Sequence, residues 1–342
     1  MDHSVYMKRA LELAARGTKF VKSNPKVGAV LVYQNRILGE GYHQKYGEGH
    51  AEVNCIKSVK KVDHHLIEKS TIYITLEPCF HTGKTPPCVD LIIKNKIQNV
   101  VIGTLDPNPK VGGQSIEKLK SLNINVTVGI LEKECKQIIQ PFIKMMNKKP
   151  WVILKFAKSK YNYMASDNGQ VWLSSQSSKL LVHNMRANVD GIMIGTNTAA
   201  TDNPALTTRL VDGDNPIRIV LDREGKLDKS LTLFTDELTT IYVTSTKRDL
   251  PDNVNVLIHN FDAENHMDNL MGRIYELGIY RLMIEGGAAL LKSVVKNNSW
   301  DEAVVISTRH ELNEGKLAPN INGKLLSKIE CDGDTVYTIL KQ

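Results

Sequence analysis

His50-Ala51-Glu52, Pro78-Cys79 and Pro87-Cys88 give this chain one imidazole, two thiols and a spare carboxylate in three separate segments. A chain that uses these groups together must fold so that the segments meet at one point. The local pattern provides for it. Thr71 to Leu76 reads as a strand that delivers Glu77-Pro78-Cys79 at its end, one helix is expected to begin at His50, and another at Pro87-Cys88. One imidazole and two thiolates suit zinc, and three protein ligands leave a fourth position open for water. Zinc hydrolases that act on ring amines need one further group, a carboxylate outside the metal shell that moves protons. His50, Cys79 and Cys88 are therefore the metal-ligating candidates and Glu52 the catalytic one. Helix N-termini beside the ligands favour thiolate over thiol. The usual cysteine spacing, P-C-x-x-C, is exceeded between Cys79 and Cys88, and the longer insertion sets His81 and Lys84 beside the reaction centre.

Simpler explanations exist for each piece alone. His-Ala-Glu recurs by chance, and an isolated cysteine packs as a small hydrophobe. The latter reading fits Cys55, inside the helix begun at His50; Cys135 and Cys331 have no partner motif either. Five cysteines without a spacing framework, and no hydrophobic N-terminal segment, point to the reducing cytoplasm without disulfides.

At 342 residues the chain is long for one core and suits two domains. No apolar run reaches membrane-spanning length. The net charge of +7 favours anionic partners, but the Lys and Arg are scattered and aromatics make up only 6%. That combination argues against nucleic acid and suits a phosphorylated small molecule. A homo-oligomer is the expected assembly.

The first half alternates helix and strand. Val5 to Arg16 has apolar residues at helical spacing. Val27 to Val32 and Arg36 to Tyr42 read as strands joined at Gln34-Asn35, and the strands Asn99 to Gly103 and Ile124 to Val128 follow those already placed. Glu132 to Met146 closes the half as a helix, and Asn147-Lys148-Lys149-Pro150 breaks the pattern, so the domains are taken as 1–147 and 148–342. The second half restarts with the apolar strand Trp151 to Ala157. Strands are expected at Gly191 to Ile194, Ile217 to Leu221, Ile241 to Val243, Val254 to Ile258 and Leu282 to Ile284. Helices fall at Ser177 to Ala187, Met267 to Leu277 and Ala288 to Val295. This is an α/β fold with a mostly parallel sheet, with Val304 to Ser307 and Thr335 to Leu340 as antiparallel edge strands.

No G-x-G-x-x-G follows a strand, so a Rossmann site has no support. Glu285-Gly286-Gly287-Ala288 does stand between an apolar strand and a helix, where backbone N–H groups approach a phosphate. Thr244-Ser245-Thr246-Lys247 offers hydroxyls and a cation after another strand end, suited to the extra phosphate of NADPH or to a plain capped loop.

Longer motifs carry a resemblance. Asn24-Pro25-Lys26-Val27-Gly28, Gly41-Tyr42-His43, His50-Ala51-Glu52, Glu77 through Cys88 and Asp106-Pro107-Asn108-Pro109 resemble the bacterial bifunctional deaminase–reductase family of riboflavin biosynthesis. So do Gly169 to Ser174, His183 to Ala187, Asp190 to Gly195, Asp202 to Arg209 and Glu285-Gly286-Gly287. The resemblance implies an N-terminal cytidine-deaminase-like zinc domain and a C-terminal dihydrofolate-reductase-like domain. It implies two steps: hydrolytic deamination of a diaminopyrimidinone carrying a phosphoribosylamino group, then NADPH-dependent reduction of the ribosyl chain to ribityl. It sets Asn24 and His43 on the pyrimidine or ribose, and His81 and Lys84 on the phosphate. Ala157, Trp172, Thr198, Asp202, Ser245, Gly286 and Gly287 are expected to face NADPH. Gln170, Arg186, Leu206, Arg209 and Glu285 are expected to face the reductase substrate. Two segments depart from the family: Ser159-Lys160-Tyr161-Asn162 stands where Ser-Leu-Asp-Gly is usual, and Gly112-Gly113-Gln114-Ser115 where Gly-x-Gly continues. Two competing readings are a nucleotide or RNA-base deaminase with a degenerate C-terminal binding module, and a structural zinc domain. The latter fails for want of a fourth protein ligand.

Overall fold

A computed structural model describes residues 2–108, 112–166 and 171–342. The chain forms two compact units, Met1–Asn147 and Lys148–Gln342. In the first, α1 (His3–Ala15) leads into strands β1 (Gly28–Tyr33) and β2 (Arg36–Tyr42), helix α2 (Ala51–Lys57) and a 3₁₀ segment (Lys61–Lys69). Then come β3 (Thr71–Leu76), α3 (Cys88–Lys94), β4 (Asn99–Thr104), α4 (Gln114–Ser121), β5 (Asn125–Val128), α5 (Glu132–Ile138) and α6 (Gln140–Met146). The sheet order is β2-β1-β3-β4-β5. The β1–β2 hairpin is antiparallel and turns at Gln34 and Asn35, both with positive φ, while β3, β4 and β5 are parallel.

Alternation along the strands fills two layers. Ala29, Leu31, Ile72, Ile74, Val100 and Ile102 pack with Ala51, Cys55, Val89, Ile92 and Leu119 from the helices on one face. Val30, Val32, Tyr73 and Val101 pack with Met7, Ala10 and Leu13 of α1 on the other. Burial on both faces explains why these strands read as unbroken apolar runs. Helix α1 is capped by Asp2, whose carboxylate accepts from the Ser4 amide at 2.9 Å.

The second unit holds β6 (Trp151–Lys158), β7 (Tyr163–Ala165), α7 (Gln176–Ala187), β8 (Gly191–Gly195), α8 (Thr196–Asp202) and β9 (Ile217–Leu221). These are followed by α9 (Thr232–Thr235), β10 (Thr240–Thr244), β11 (Val254–Ile258), α10 (His266–Glu276), β12 (Arg281–Glu285) and α11 (Ala288–Lys296). Last are β13 (Glu302–Ser307), β14 (Lys316–Leu317), β15 (Lys324–Cys331) and β16 (Asp334–Leu340). The large sheet runs β11-β10-β9-β8-β12-β6-β13-β16-β15, with β7 and β14 paired separately. The strands from β11 through β13 are parallel, and β16 and β15 add antiparallel. One face is covered by α10 and α11 through Met267, Leu270, Ile274, Leu291 and Val294.

Several elements differ from the sequence expectation. The helix expected over 132–146 is two helices, because Pro141 lacks the N–H needed to continue the first and Ile139 breaks the turn. Strand β13 is interior and parallel to β6, not an antiparallel edge; only its β16 side is antiparallel, and the true edge is β15. His50 is the N-cap of α2 and lies outside its first turn, while Glu52 lies inside it.

The seating of α1 depends on Gly28, where an added Cβ would lie 1.9 Å from the Ala10 carbonyl oxygen. Overpacking of this kind typically costs about 1–3 kcal/mol. Gly28→Ala is therefore expected to lower the calorimetric transition of the first unit. Tryptophan fluorescence, which reports the second unit alone because all three Trp lie there, should keep its midpoint.

Candidate active sites

The end of β3 carries the first site. Cys79 follows that strand by three residues, Cys88 is the first residue of α3, and His50 caps α2. Their donor atoms lie within 4.8 Å of one another. His50 Nδ1 is 3.5 Å from Cys79 Sγ and 3.4 Å from Cys88 Sγ. Zinc–sulfur and zinc–nitrogen bonds of about 2.3 and 2.0 Å put the edges of a tetrahedron near 3.6 Å. The trio therefore fits zinc in both donor type and spacing. The Cys88 amide donates to Cys79 Sγ at 3.2 Å, so the opening of α3 already supports a thiolate there. The Cys79 thiol is pulled down to about 4, first by the hydrogen bond from Cys88, with burial opposing and His50 assisting. Cys88, the donor, is pushed up. A divalent cation between the sulfurs favours the second deprotonation as well.

Glu52 is 3% exposed, and its backbone starts α2 beside the trio. Burial, then the negative charge of Cys79, pushes its carboxyl up to about 7. His43 stacks edge-on against His50, with centroids 5.3 Å apart, and its Nε2 is 3.1 Å from the Asn24 side-chain nitrogen. Burial lowers the His43 pKa. His81 and Lys84 are exposed on the insertion, and Lys84 Nζ rests 4.5 Å from the Tyr46 ring centroid. Pro109, the last residue of the Asp106 motif, lies outside the described residues.

Glu77 was given no task by its motif, yet it organises the loop beyond β4. Its buried carboxylate accepts from the amides of Asp106 (3.1 Å), Gly113 (2.9 Å) and Ser115 (3.3 Å) and from the Ser115 hydroxyl (2.7 Å). An acidic residue at a buried strand end is the only signal the sequence offers for this role.

The second site lies at the carboxyl ends of the adjacent strands β8, β12 and β6, the usual place for ligands in open α/β sheets. Glu285, last in β12, is in register with Lys155 of β6. Arg186 of α7 grips it with two hydrogen bonds of 3.0 and 2.8 Å and donates a third, 3.1 Å, to the Thr207 carbonyl. Burial alone would raise Glu285, but the charges of Lys155 and Arg186 outweigh it and hold the carboxyl at about 2. Burial in turn lowers Lys155. The sequence reading missed Lys155 because a single Lys in an apolar strand looks like an edge charge. The loop bearing Leu206 and Arg209 docks on the same helix, with the Arg209 amide donating to His183 at 3.1 Å, and Leu206 is buried at φ +55.

Gly286 and Gly287 have φ of +90 and +62, and a Cβ on either would press within 3.2 Å of the Thr198 side chain. The α11 N-terminus behind them has no side-chain cap, which leaves its first N–H groups for a phosphate. Ala157 is near the end of β6, and Asp202 ends α8. Ser245 lies apart, past β10, and its exposed hydroxyl donates to the His259 carbonyl. Three strand spacings, about 14 Å, separate it from the glycines, a gap only an extended ligand bridges. Trp172 is exposed beneath Lys179, 4.8 Å away. Gln170 and Gly169 lie outside the described residues. In the segment Ser159 to Asn162, Asn162 takes φ +70, the left-handed position that a glycine would otherwise fill, and Ser159 Oγ donates to the Leu312 carbonyl at 2.6 Å. The Asn162 amide donates to the Ser159 carbonyl at 3.0 Å to close the turn, and Tyr161 projects from it 47% exposed.

Comparison with known proteins gives both halves a counterpart. The family model described as the cytidine and deoxycytidylate deaminase zinc-binding region matches residues 1–104, and the RibD C-terminal domain matches residues 150–308. Riboflavin biosynthesis protein RibD of Aquifex aeolicus is 35% identical over 332 residues, covering 94% of this chain and 88% of the relative. This chain belongs to the RibD family. The corresponding protein of Bacillus amyloliquefaciens is 34% identical over 87% of this chain and 82% of its own length. A crystal structure from Thermotoga maritima, described as a diaminohydroxyphosphoribosylaminopyrimidine deaminase/5-amino-6-(5-phosphoribosylamino)uracil reductase, superposes with a TM-score of 0.87. It is 32% identical, and the match covers 99% of this chain and 98% of that one. The chain is thus a bifunctional enzyme of riboflavin biosynthesis, with a cytidine-deaminase-like zinc unit and a dihydrofolate-reductase-like unit that uses NADPH. A degenerate second half is not favoured, since the reductase match runs through 150–308. Among the described residues no helix is long and apolar enough to cross a membrane.

The ionised Glu285 stabilises the second unit fully above its ordinary value of 4.5, and that contribution is lost as pH falls toward 2. Glu285→Gln leaves two buried cations without their partner, at a cost of about 3–5 kcal/mol at neutral pH. Urea unfolding followed by tryptophan fluorescence should show this loss, and the gap to the parent protein should narrow below pH 4.5.

Proposed function

We propose that the first unit hydrolyses the ring amine of 2,5-diamino-6-(5-phosphoribosylamino)pyrimidin-4-one, and that the second reduces the ribosyl chain of the product to ribityl. His50, Cys79 and Cys88 hold zinc in this reading, and their mutual spacing beside the buried Glu52 is the observation that carries it. Zinc, when bound, supplies the Lewis acidity that brings the pKa of a water toward neutrality. Glu52, buried beside the trio and left off the metal so that its carboxylate is free to move protons, accepts the proton of the attacking water. It delivers that proton to the ring nitrogen, then takes the remaining proton of the added hydroxyl and passes it to the exocyclic amine, which leaves as ammonia while the carbonyl forms. His43, held by Asn24, orients the pyrimidine or ribose, and His81 and Lys84 take the phosphate.

In the second unit NADPH, when bound, supplies the hydride. Gly286, Gly287 and Thr198 cradle its phosphates, with Ala157, Trp172, Asp202 and Ser245 along its length. Arg186, Leu206, Arg209, Glu285 and Gln170 face the substrate. Glu285 remains ionised and is held in place by Arg186. Five unpaired cysteines support a reducing cytoplasm. The open edge strand β15, with Leu325 and Ile329 each more than half exposed, supports a homo-oligomer.

Cys79→Ser should lose most of its zinc in metal analysis, whereas Glu52→Gln should retain it and lose deamination while still reducing pre-deaminated substrate. Full zinc in the first variant, or normal deamination in the second, would overturn these assignments.

Calorimetric titration should show NADPH binding at least about tenfold more tightly than NADH, through a charge-assisted contact near Ser245 and Lys247. If NADPH binds without turnover, Tyr161→Asp should restore reduction; failure of both cofactors to bind would refute the second-site assignment.

A further inference from the structure

The turn before Asn24 has a backbone its sequence does not favour. Lys22 closes the 3₁₀ turn Lys19–Val21 at φ 51 and ψ −122, a conformation natural to glycine. A lysine is held there only when its surroundings enforce it, and such strain collects at functional sites. Its neighbours show what it faces. The Tyr46 amide donates to the Phe20 carbonyl at 2.9 Å, so the loop from His43 to His50 is stitched to this turn. The Asn24–His43 contact, 3.1 Å, stitches it a second time, next to the zinc trio.

Tyr46 then collects two cations. Lys84 Nζ lies 4.5 Å from its ring centroid and Lys22 Nζ lies 5.8 Å from it. Among the described residues neither ammonium has a carboxylate within ion-pair distance, whereas the adjacent Lys45 has Glu48 at 3.4 Å. Two like charges converging on one ring repel each other, and the ring's quadrupole offsets this only in part. A phosphate dianion placed between them removes the conflict. We propose that Lys22 is a second cation for the phosphate of the deaminase substrate, and that Tyr46 is the positioning residue that holds both lysines toward it. The inference rests on the reading of Lys84 as a phosphate contact.

The test compares kcat/KM of the full-length zinc enzyme on the phosphorylated substrate and on its dephosphorylated counterpart. Lys22→Gly relieves the backbone strain while removing the cation, so its melting temperature should not fall. Its phosphorylated-to-dephosphorylated ratio should drop about tenfold, the loss residing in KM, as expected of one charge-assisted contact. Lys84→Ala should lose a similar factor, and Lys45→Ala should keep the parental ratio. Tyr46→Phe should retain the ratio and Tyr46→Leu should lower it. A full ratio in Lys22→Gly, with Lys84→Ala impaired, overturns the role of Lys22 and leaves that of Lys84 standing. A full ratio in both overturns the phosphate reading itself, and a full ratio in Tyr46→Leu overturns the positioning role.

Discussion

One imidazole and two thiols from three segments converge with their donor atoms within 4.8 Å of one another, and the first unit is arranged around that meeting point. Cys79 arrives from the carboxyl end of β3, a central strand buried on both faces, so its position is fixed by the sheet. His50 and Cys88 arrive at the starts of two short helices packed on one face. Short helices have little stability of their own. Their apolar residues Ala51, Cys55, Val89 and Ile92 bind them to the sheet. Packing of ordinary hydrophobes thus sets the precision of a candidate metal site whose donors are spread over dozens of residues.

The two units place the same side chain in opposite electrostatic settings. Glu52 is buried near a thiolate and its carboxyl rises to about 7, whereas Glu285 is equally enclosed but flanked by Lys155 and Arg186 and falls to about 2. Burial raises both; the sign of the neighbouring charge decides the outcome. A carboxyl near neutrality is suited to exchanging protons, and one near 2 to standing as a fixed anion that orients its neighbours.

Much of the architecture was legible because its signals are local. Alternating and continuous apolar runs located the central strands, Gln34-Asn35 marked the hairpin, and the histidine–cysteine pattern picked out three donors that the fold brings together. What escaped depends on distant partners. β15 is largely exposed and carries little apolar signal, and β7 and β14 are too short for periodicity. The direction of β13 is set by its pairing with β6 and cannot be read within 302–307. Lys155 acquires meaning only from Glu285 in the strand beside it, and Glu77 only from amides some thirty residues further along. Where the family usually has Ser-Leu-Asp-Gly, Asn162 of this chain takes the left-handed conformation that glycine adopts readily, a property of the backbone that the letters alone do not give.

The carboxylate of Glu77 couples backbone groups that are distant in sequence. Amides from Asp106, Gly113 and Ser115 all end on one buried carboxylate, so none can be freed alone without leaving the others on a charge that has lost part of its solvation. The three amides are therefore held cooperatively by one anion. Because the carboxylate sits two residues before Cys79, those amides and the candidate metal site share one anchor.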